Sequence, residues 1–164
     1  MTYNLEQLAD LENIRACALR YCRGVDRLDA ELMKSAYWQE ANDYHGTYNG
    51  PAYPFVDHCM ISHQRWRFTH HCVMNHAIEF DNDQEARGEI YNVTYLLQKD
   101  QDILDTWHGR YLDRYEKRRD EWRIIDRVCV HETTHSREVT AMEIAAGDFR
   151  QGSFDRGVNR PLGA

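Results

Sequence analysis

The chain has no C-x-x-C pair, no polybasic run, no internal repeat, and no apolar stretch near the roughly 20 residues needed to cross a bilayer. Each absence removes a class of protein. Its five cysteines, Cys17, Cys22, Cys59, Cys72 and Cys129, are odd in number and scattered, which argues against a disulfide framework or a zinc knuckle and predicts reduced core residues. With 20 Lys+Arg against 27 Asp+Glu, the formal charge of -7 disfavours nucleic acid or an anionic membrane as partner. The polar stretch Met1 to Asp10 lacks the apolar core of a signal peptide, so the expected location is the cytoplasm. What is present is 164 residues, 42% hydrophobic and 12% aromatic, enough for one domain with a real core and a small, weakly charged ligand.

Apolar positions Leu5, Leu8, Leu11, Ile14, Cys17 or Ala18, Tyr21 and Cys22 recur at helical steps, predicting a long helix from Asn4 toward Ala30. Gly24 is expected to break it and let Asp26 swing off the helix line. Asp29 is a plausible N-cap for a second helix ending near Trp38 to Ala41. A short strand over Tyr44 to Tyr48 then meets a turn at Asn49-Gly50-Pro51, and a third helix covers Tyr53 to Arg67. Period-two patterns predict strands over 71–80, 86–98, 103–117 and 122–133, joined by turns at 81–83 and 118–121.

Helices followed by a meander is an α+β arrangement, in which the helices cover one face of a strongly curved antiparallel sheet and enclose a conical pocket. Tyr48, Trp66, Tyr91, Trp107 and Tyr111 are its candidate aromatic walls. The domain is expected over residues 1–137. The tail, 138–164, reads as a short helix over Glu138 to Ala146, then a segment that is flexible or packs on a neighbouring subunit.

Two neighbouring histidines begin the first long strand, and since adjacent side chains face opposite ways only one of His70 and His71 looks into the pocket. Periodicity alone does not choose. His58, His63, His70, His71 and His76 lack metal-ligand spacing and a completing carboxylate, so no metal is expected.

Three stretches together resemble the SnoaL-like branch of the nuclear transport factor 2-like superfamily. They are Tyr21-Cys22-Arg23-Gly24-Val25-Asp26; Thr69-His70-His71-Cys72-Val73-Met74-Asn75 leading to Ile78-Glu79-Phe80; and Tyr111-Leu112-Asp113-Arg114-Tyr115-Glu116 before Trp122-Arg123-Ile124-Ile125. The likeness spans about residues 5 to 134 and is greatest for the branch with bile-acid 7α-dehydratase, γ-hexachlorocyclohexane dehydrochlorinase and scytalone dehydratase. It implies a cone-shaped α+β barrel without cofactor, a homo-oligomer with a trimer favoured over a dimer, and an Asp–His dyad. Carried over, the dyad falls on Asp26 and His71, the tyrosine of the bile-acid pattern on Tyr21, and the last-strand arginine on Arg127 in the dehydrochlorinase pattern. The bile-acid pattern puts its arginine where this chain has His131.

The expected activity is a cofactor-independent lyase, a dehydratase of a hydrophobic ring compound. Asp26 would orient His71, His71 would abstract a proton, and Tyr21 with Arg127 or His131 would stabilise the leaving group or oxyanion. The alternatives are an isomerase using the same dyad and a noncatalytic ligand-binding or assembly domain.

Overall fold

In the computed structural model, residues 3–142, 144, 147, 149, 150, 152–158 and 162 are described. Helix α1 runs Leu5–Arg27. A reciprocal cap starts it: the Asn4 side chain accepts from the Gln7 amide at 2.8 Å, and Gln7 accepts from the Asn4 amide at 3.1 Å. Its apolar stripe is buried from Leu11 to Val25, whereas Leu5 and Leu8 are exposed because the first turns overhang the sheet.

Gly24 does not break the helix. It lies within it, and the left-handed residue that ends α1 is Leu28, with φ 55°. Asp26 therefore projects from the last helical turn and has not swung off the helix line. Gly24 is needed for contact: a Cβ there would lie 2.5–2.7 Å from the backbone and Cβ of Met33 in helix α2, Ala30–Lys34.

Asp29 caps α2 as expected, its side chain accepting from the Leu32 amide. The helix stops well before Trp38, because strand β1, Tyr37–His45, is captured by pairing parallel to the last strand. Gly46, with φ 66°, and Thr47 make the turn expected at 49–51, and Asn49 to Pro51 belong to β2, Tyr48–Pro51. Helix α3, Ala52–Ser62, and one 3-10 turn, His63–Arg65, follow.

Strands β3, Trp66–Phe80, β4, Glu85–Gln98, β5, Ile103–Arg118, and β6, Glu121–Glu138, form the expected antiparallel meander. The sheet order is β2-β1-β6-β5-β4-β3, six strands curving without closing. The helices cover its concave face, giving the cone-like α+β fold the sequence predicts.

Two bulges change which residues face inward. Thr69, His71 and Val73 share one face of β3, but an irregularity between Val73 and His76 lets His76, Ile78 and Phe80 take over that face. On β6 a shift near Ile125 turns the inward set from Trp122 and Ile124 to Arg127 and Cys129. Cys72 is exposed on the outer face, a departure from the expectation that every cysteine is core.

The short helix expected over 138–146 is absent where described: Glu138 closes β6 and 139–142 are irregular, while 143, 145 and 146 lie outside the described residues. Further on, a 3-10 turn at Gly152–Asp155 packs back on the domain. There the Gly157 amide donates to the Arg27 carbonyl at 2.7 Å and Arg156 to the His63 carbonyl at 2.9 Å. Among the described residues no helix is long and apolar enough to cross a membrane.

Overpacking a tight contact costs about 1–3 kcal/mol, so Gly24→Ala should lower the unfolding free energy by that amount, read as a lower urea midpoint, although alanine is the better helix former. An unchanged midpoint would mean that α1 and α2 move apart freely.

Candidate active site

Asp26, in the last turn of α1, meets the inward face of β3. Its Oδ1 accepts from the Thr69 hydroxyl at 2.8 Å and lies 2.7 Å from His71 Nδ1, and its Oδ2 accepts from the His71 backbone amide at 2.9 Å. The pair is sheltered, with the His71 side chain 7% and that of Asp26 11% exposed. Burial alone would raise the Asp26 pKa, but the His71 ring bond and charge, its backbone amide and the Thr69 hydroxyl together outweigh it and hold the carboxyl below its ordinary value. An ionised carboxylate only accepts, so Nδ1 carries a proton toward Asp26 and Nε2 is the ring nitrogen left to face the cavity.

Of the two histidines His71 is the one turned inward, and His70 is exposed. His71 opens onto a cavity of about 290 Å³, whose floor and sides include His45, His63, Thr94 and Tyr111. Trp66, Trp107, Arg65 and Leu96 complete the wall. A larger concavity of about 420 Å³ lies elsewhere, between Gly88, Leu112 and Val128, and is lined by no histidine. The dyad selects the smaller one.

Three of the five expected wall residues, Trp66, Trp107 and Tyr111, therefore join His71 there. Tyr91 is on the outer face, 45% exposed, because its neighbours Ile90 and Asn92 take the inward positions. Tyr48 donates to the Pro51 carbonyl on edge strand β2 and packs on Phe55, outside the cavity wall. His131 lies where β6 runs exposed past a bulge, bonded to Thr134 at 2.8 Å and 6.2 Å from the Trp107 ring. Tyr21 is 2% exposed and sits edge-on to His71, Tyr37 and Tyr111, inside the core and not on the wall. Its burial pushes its pKa well above 10, so the phenol keeps its proton.

Arg127 likewise belongs to the base of the cone and not to its wall. It is 0% exposed, with both Nε and Nη2 2.7 Å from the carboxylate of Asp113, and its guanidinium lies 4.3 Å from the Tyr21 ring and 4.2 Å from that of Tyr111. A bidentate carboxylate and two aromatic rings over the cation are what a buried guanidinium requires.

Four residues escaped sequence reasoning. Thr69 was legible in principle, two residues from His71 on the same strand face. His63, at the end of α3, stacks 6.2 Å from His71, and burial drives its pKa to about 3, so it is neutral. His45 and Asp43 came together only because residues 37–45 form a strand. The buried thiols Cys17, Cys22 and Cys59 are raised by burial to about 11, 12 and 12, which removes them as nucleophiles. Among the described residues no cluster of three metal-ligating side chains occurs.

A helix-end carboxylate orienting a strand histidine in an aromatic cone is the arrangement that the motifs of 21–26, 69–80 and 111–125 pointed to. The family model of the SnoaL-like domain matches residues 6–128. This chain is a member of the SnoaL-like family. Among solved structures it is similar to a candidate scytalone dehydratase from Novosphingobium aromaticivorans, with 17% identity, 83% of this chain and 93% of that one covered, and a TM-score of 0.73. The hexachlorocyclohexane dehydrochlorinase LinA-type3 from Novosphingobium barchaimii shares 18% identity over 87% of this chain and all of its own, a coverage of 100%, at a TM-score of 0.73. A protein of unknown function from Mycobacterium tuberculosis shares 22%, covering 77% and 74%, at 0.68. These likenesses show the fold. No curated protein matches the chain.

Two outcomes follow from the buried charges of this SnoaL-like cone. Arg127→Met strands the Asp113 carboxylate and should cost about 3–5 kcal/mol, most of it recovered when Asp113→Leu is added, as read from urea midpoints of the single and double variants. Asp26, held low, stabilises the fold above the pKa of an unfolded carboxyl, about 4, and that contribution is lost as pH falls through the native value. The stability gap between the native protein and Asp26→Asn should therefore narrow on acidification from about pH 6 to about pH 3.

Proposed function

We propose that this SnoaL-like protein is a cofactor-independent lyase, a dehydratase acting on a hydrophobic ring compound, with His71 as general base. The observation that carries the reading is the 2.7 Å bond between His71 Nδ1 and Asp26 Oδ1 beside an aromatic cavity. With Nδ1–H committed to Asp26, Nε2 takes a proton from carbon next to a carbonyl, and Asp26 stabilises the imidazolium that forms. Thr69 and the His71 amide keep the carboxylate from rotating, so its effect is preorganised. His63, neutral and stacked alongside, adds no competing charge to the base.

Tyr21 acts from behind, fixing the His71 ring edge-on, and Arg127 sets the electrostatics of the cone base without reaching the wall. Trp66, Trp107 and Tyr111 offer faces for a flat substrate. An isomerase would use the same base and differ only in where the proton returns. A noncatalytic binding domain has no use for a sheltered carboxylate aimed at one imidazole, and the contact distance favours the enzyme over it.

The test uses a tetralone bearing a hydroxyl β to its carbonyl, which becomes a naphthol on losing water and is followed by absorbance. His71→Gln should lower its turnover by about 10²–10⁴-fold without lowering the unfolding temperature comparably. Turnover equal to the native protein would remove His71 from the chemistry.

A further inference from the structure

The cavity has a second histidine with a buried carboxylate behind it. Asp43 and His45 are two apart on β1, on one strand face, and Asp43 Oδ1 lies 3.1 Å from His45 Nδ1. Asp43 is fully buried, and its other oxygen accepts from the Tyr37 hydroxyl at 2.5 Å. The His45 ring is held by stacking on Phe55 at 4.7 Å and 27°. With Nδ1 against the carboxylate, Nε2 is the nitrogen left for a ligand, as in His71.

Both residues line the same cavity. His71 contacts Tyr21, Tyr21 contacts Tyr111, and Tyr111 contacts His45, at centroid distances of 6.3, 5.7 and 6.0 Å. Ring contacts through Tyr111 and Tyr21 thus link the two imidazoles that open on this cavity. Two donors expected from the sequence are engaged elsewhere. Arg127 is bound to Asp113 at the cone base, and His131 bonds Thr134 away from the wall.

We propose that the His45–Asp43 pair is a second proton-transfer centre, a general acid that protonates a departing hydroxyl while His71 takes the carbon-bound proton. This rests on the reading of His71 as the base. It narrows the substrate class to ring compounds with a hydroxyl β to a carbonyl. In the step, the C–H bond breaks and its proton goes to His71 Nε2. The electron pair left on carbon forms the C=C bond, and the C–O bond breaks. The oxygen leaves as water with the proton given by His45 Nε2–H. One imidazolium is made and one consumed, so solvent exchange resets the site and no oxidant or reductant is needed.

The chemistry explains why such an acid is required. Hydroxide is a poor leaving group and must be protonated as it departs, whereas a halide or a carboxylate leaves unaided. A site with a base alone suits the second kind, and a site with an acid and a base on one cavity suits the first.

The experiment compares two probes on the full chain, the β-hydroxytetralone and its β-acetoxy counterpart, both giving the same naphthol. His45→Gln should lower the ratio of hydroxyl to acetoxy elimination by at least about 100-fold, the low side of what a general acid contributes. His71→Gln should lower both rates and leave that ratio within about threefold, since the base serves both probes. The acetoxy rate reports that the His45 variants are folded, the unfolding temperature reports it for His71→Gln, and His45→Asn serves as a second variant in the same ratio. If His45→Gln and His45→Asn leave the ratio unchanged, His45 is only wall and the inference is overturned, while loss of both rates in His71→Gln keeps the base. If native protein and His71→Gln convert the two probes equally, the base and this acid both fall.

Discussion

A carboxylate keeps its charge inside this cone because three donors converge on it. Asp26 reaches from the last turn of α1 to β3, where the Thr69 hydroxyl and the ring and amide of His71 receive it. The interaction is structural before it is chemical, since it ties the end of the longest helix to the outermost long strand and so sets how far the helix lies over the sheet. The same bonds fix which nitrogen of His71 bears a proton. One contact therefore decides both the mouth of the cone and the reactivity of the group that faces it.

The base of the cone meets a different constraint. A guanidinium with no exposure to solvent has to be neutralised and covered, and Arg127 is neutralised by Asp113 and covered by Tyr21 and Tyr111. Those two rings are then fixed, and they form the ridge against which His71 and His45 stand. The paired charges cancel at short range, so the cavity above is governed by Asp26 and Asp43 and not by the cation. A residue expected to touch substrate is instead part of the frame that holds the rings and imidazoles around the cavity.

What was legible in the sequence depended on whether local pattern and tertiary pairing agreed. The meander was, because apolar alternation and turn residues agree with the antiparallel register from Trp66 to Glu138. Strand β1 was not. Tyr37 and Trp38 continue a helical spacing, but pairing with β6 from Ile124 onward overrides that local preference. Gly24 was read as a breaker, whereas its missing Cβ admits Met33. The dyad itself was identified through the motif resemblance, since strand parity alone left His70 and His71 equal. Parity counting also failed past the bulges, where Ile78 faces the core although it alternates out of phase with His71.

That failure at β1 is instructive for the chemistry. As long as the helix is taken to run to 38–41 and the strand to cover only 44–48, Asp43 lies outside the strand and has no reason to share a face with His45. Once they are a strand, their two-residue spacing puts both on one face, Gly46 ends the strand directly after His45, and parallel pairing sets Asp43 beside Arg127. The cavity then has a carboxylate-backed imidazole on each of two walls, one reached from a helix end and one from within a strand. A helix-end acid can orient a base on a neighbouring strand, but only a strand offers acid and imidazole at i and i+2 on its own inward face. The second pair is thus a consequence of the pairing that sequence periodicity conceals.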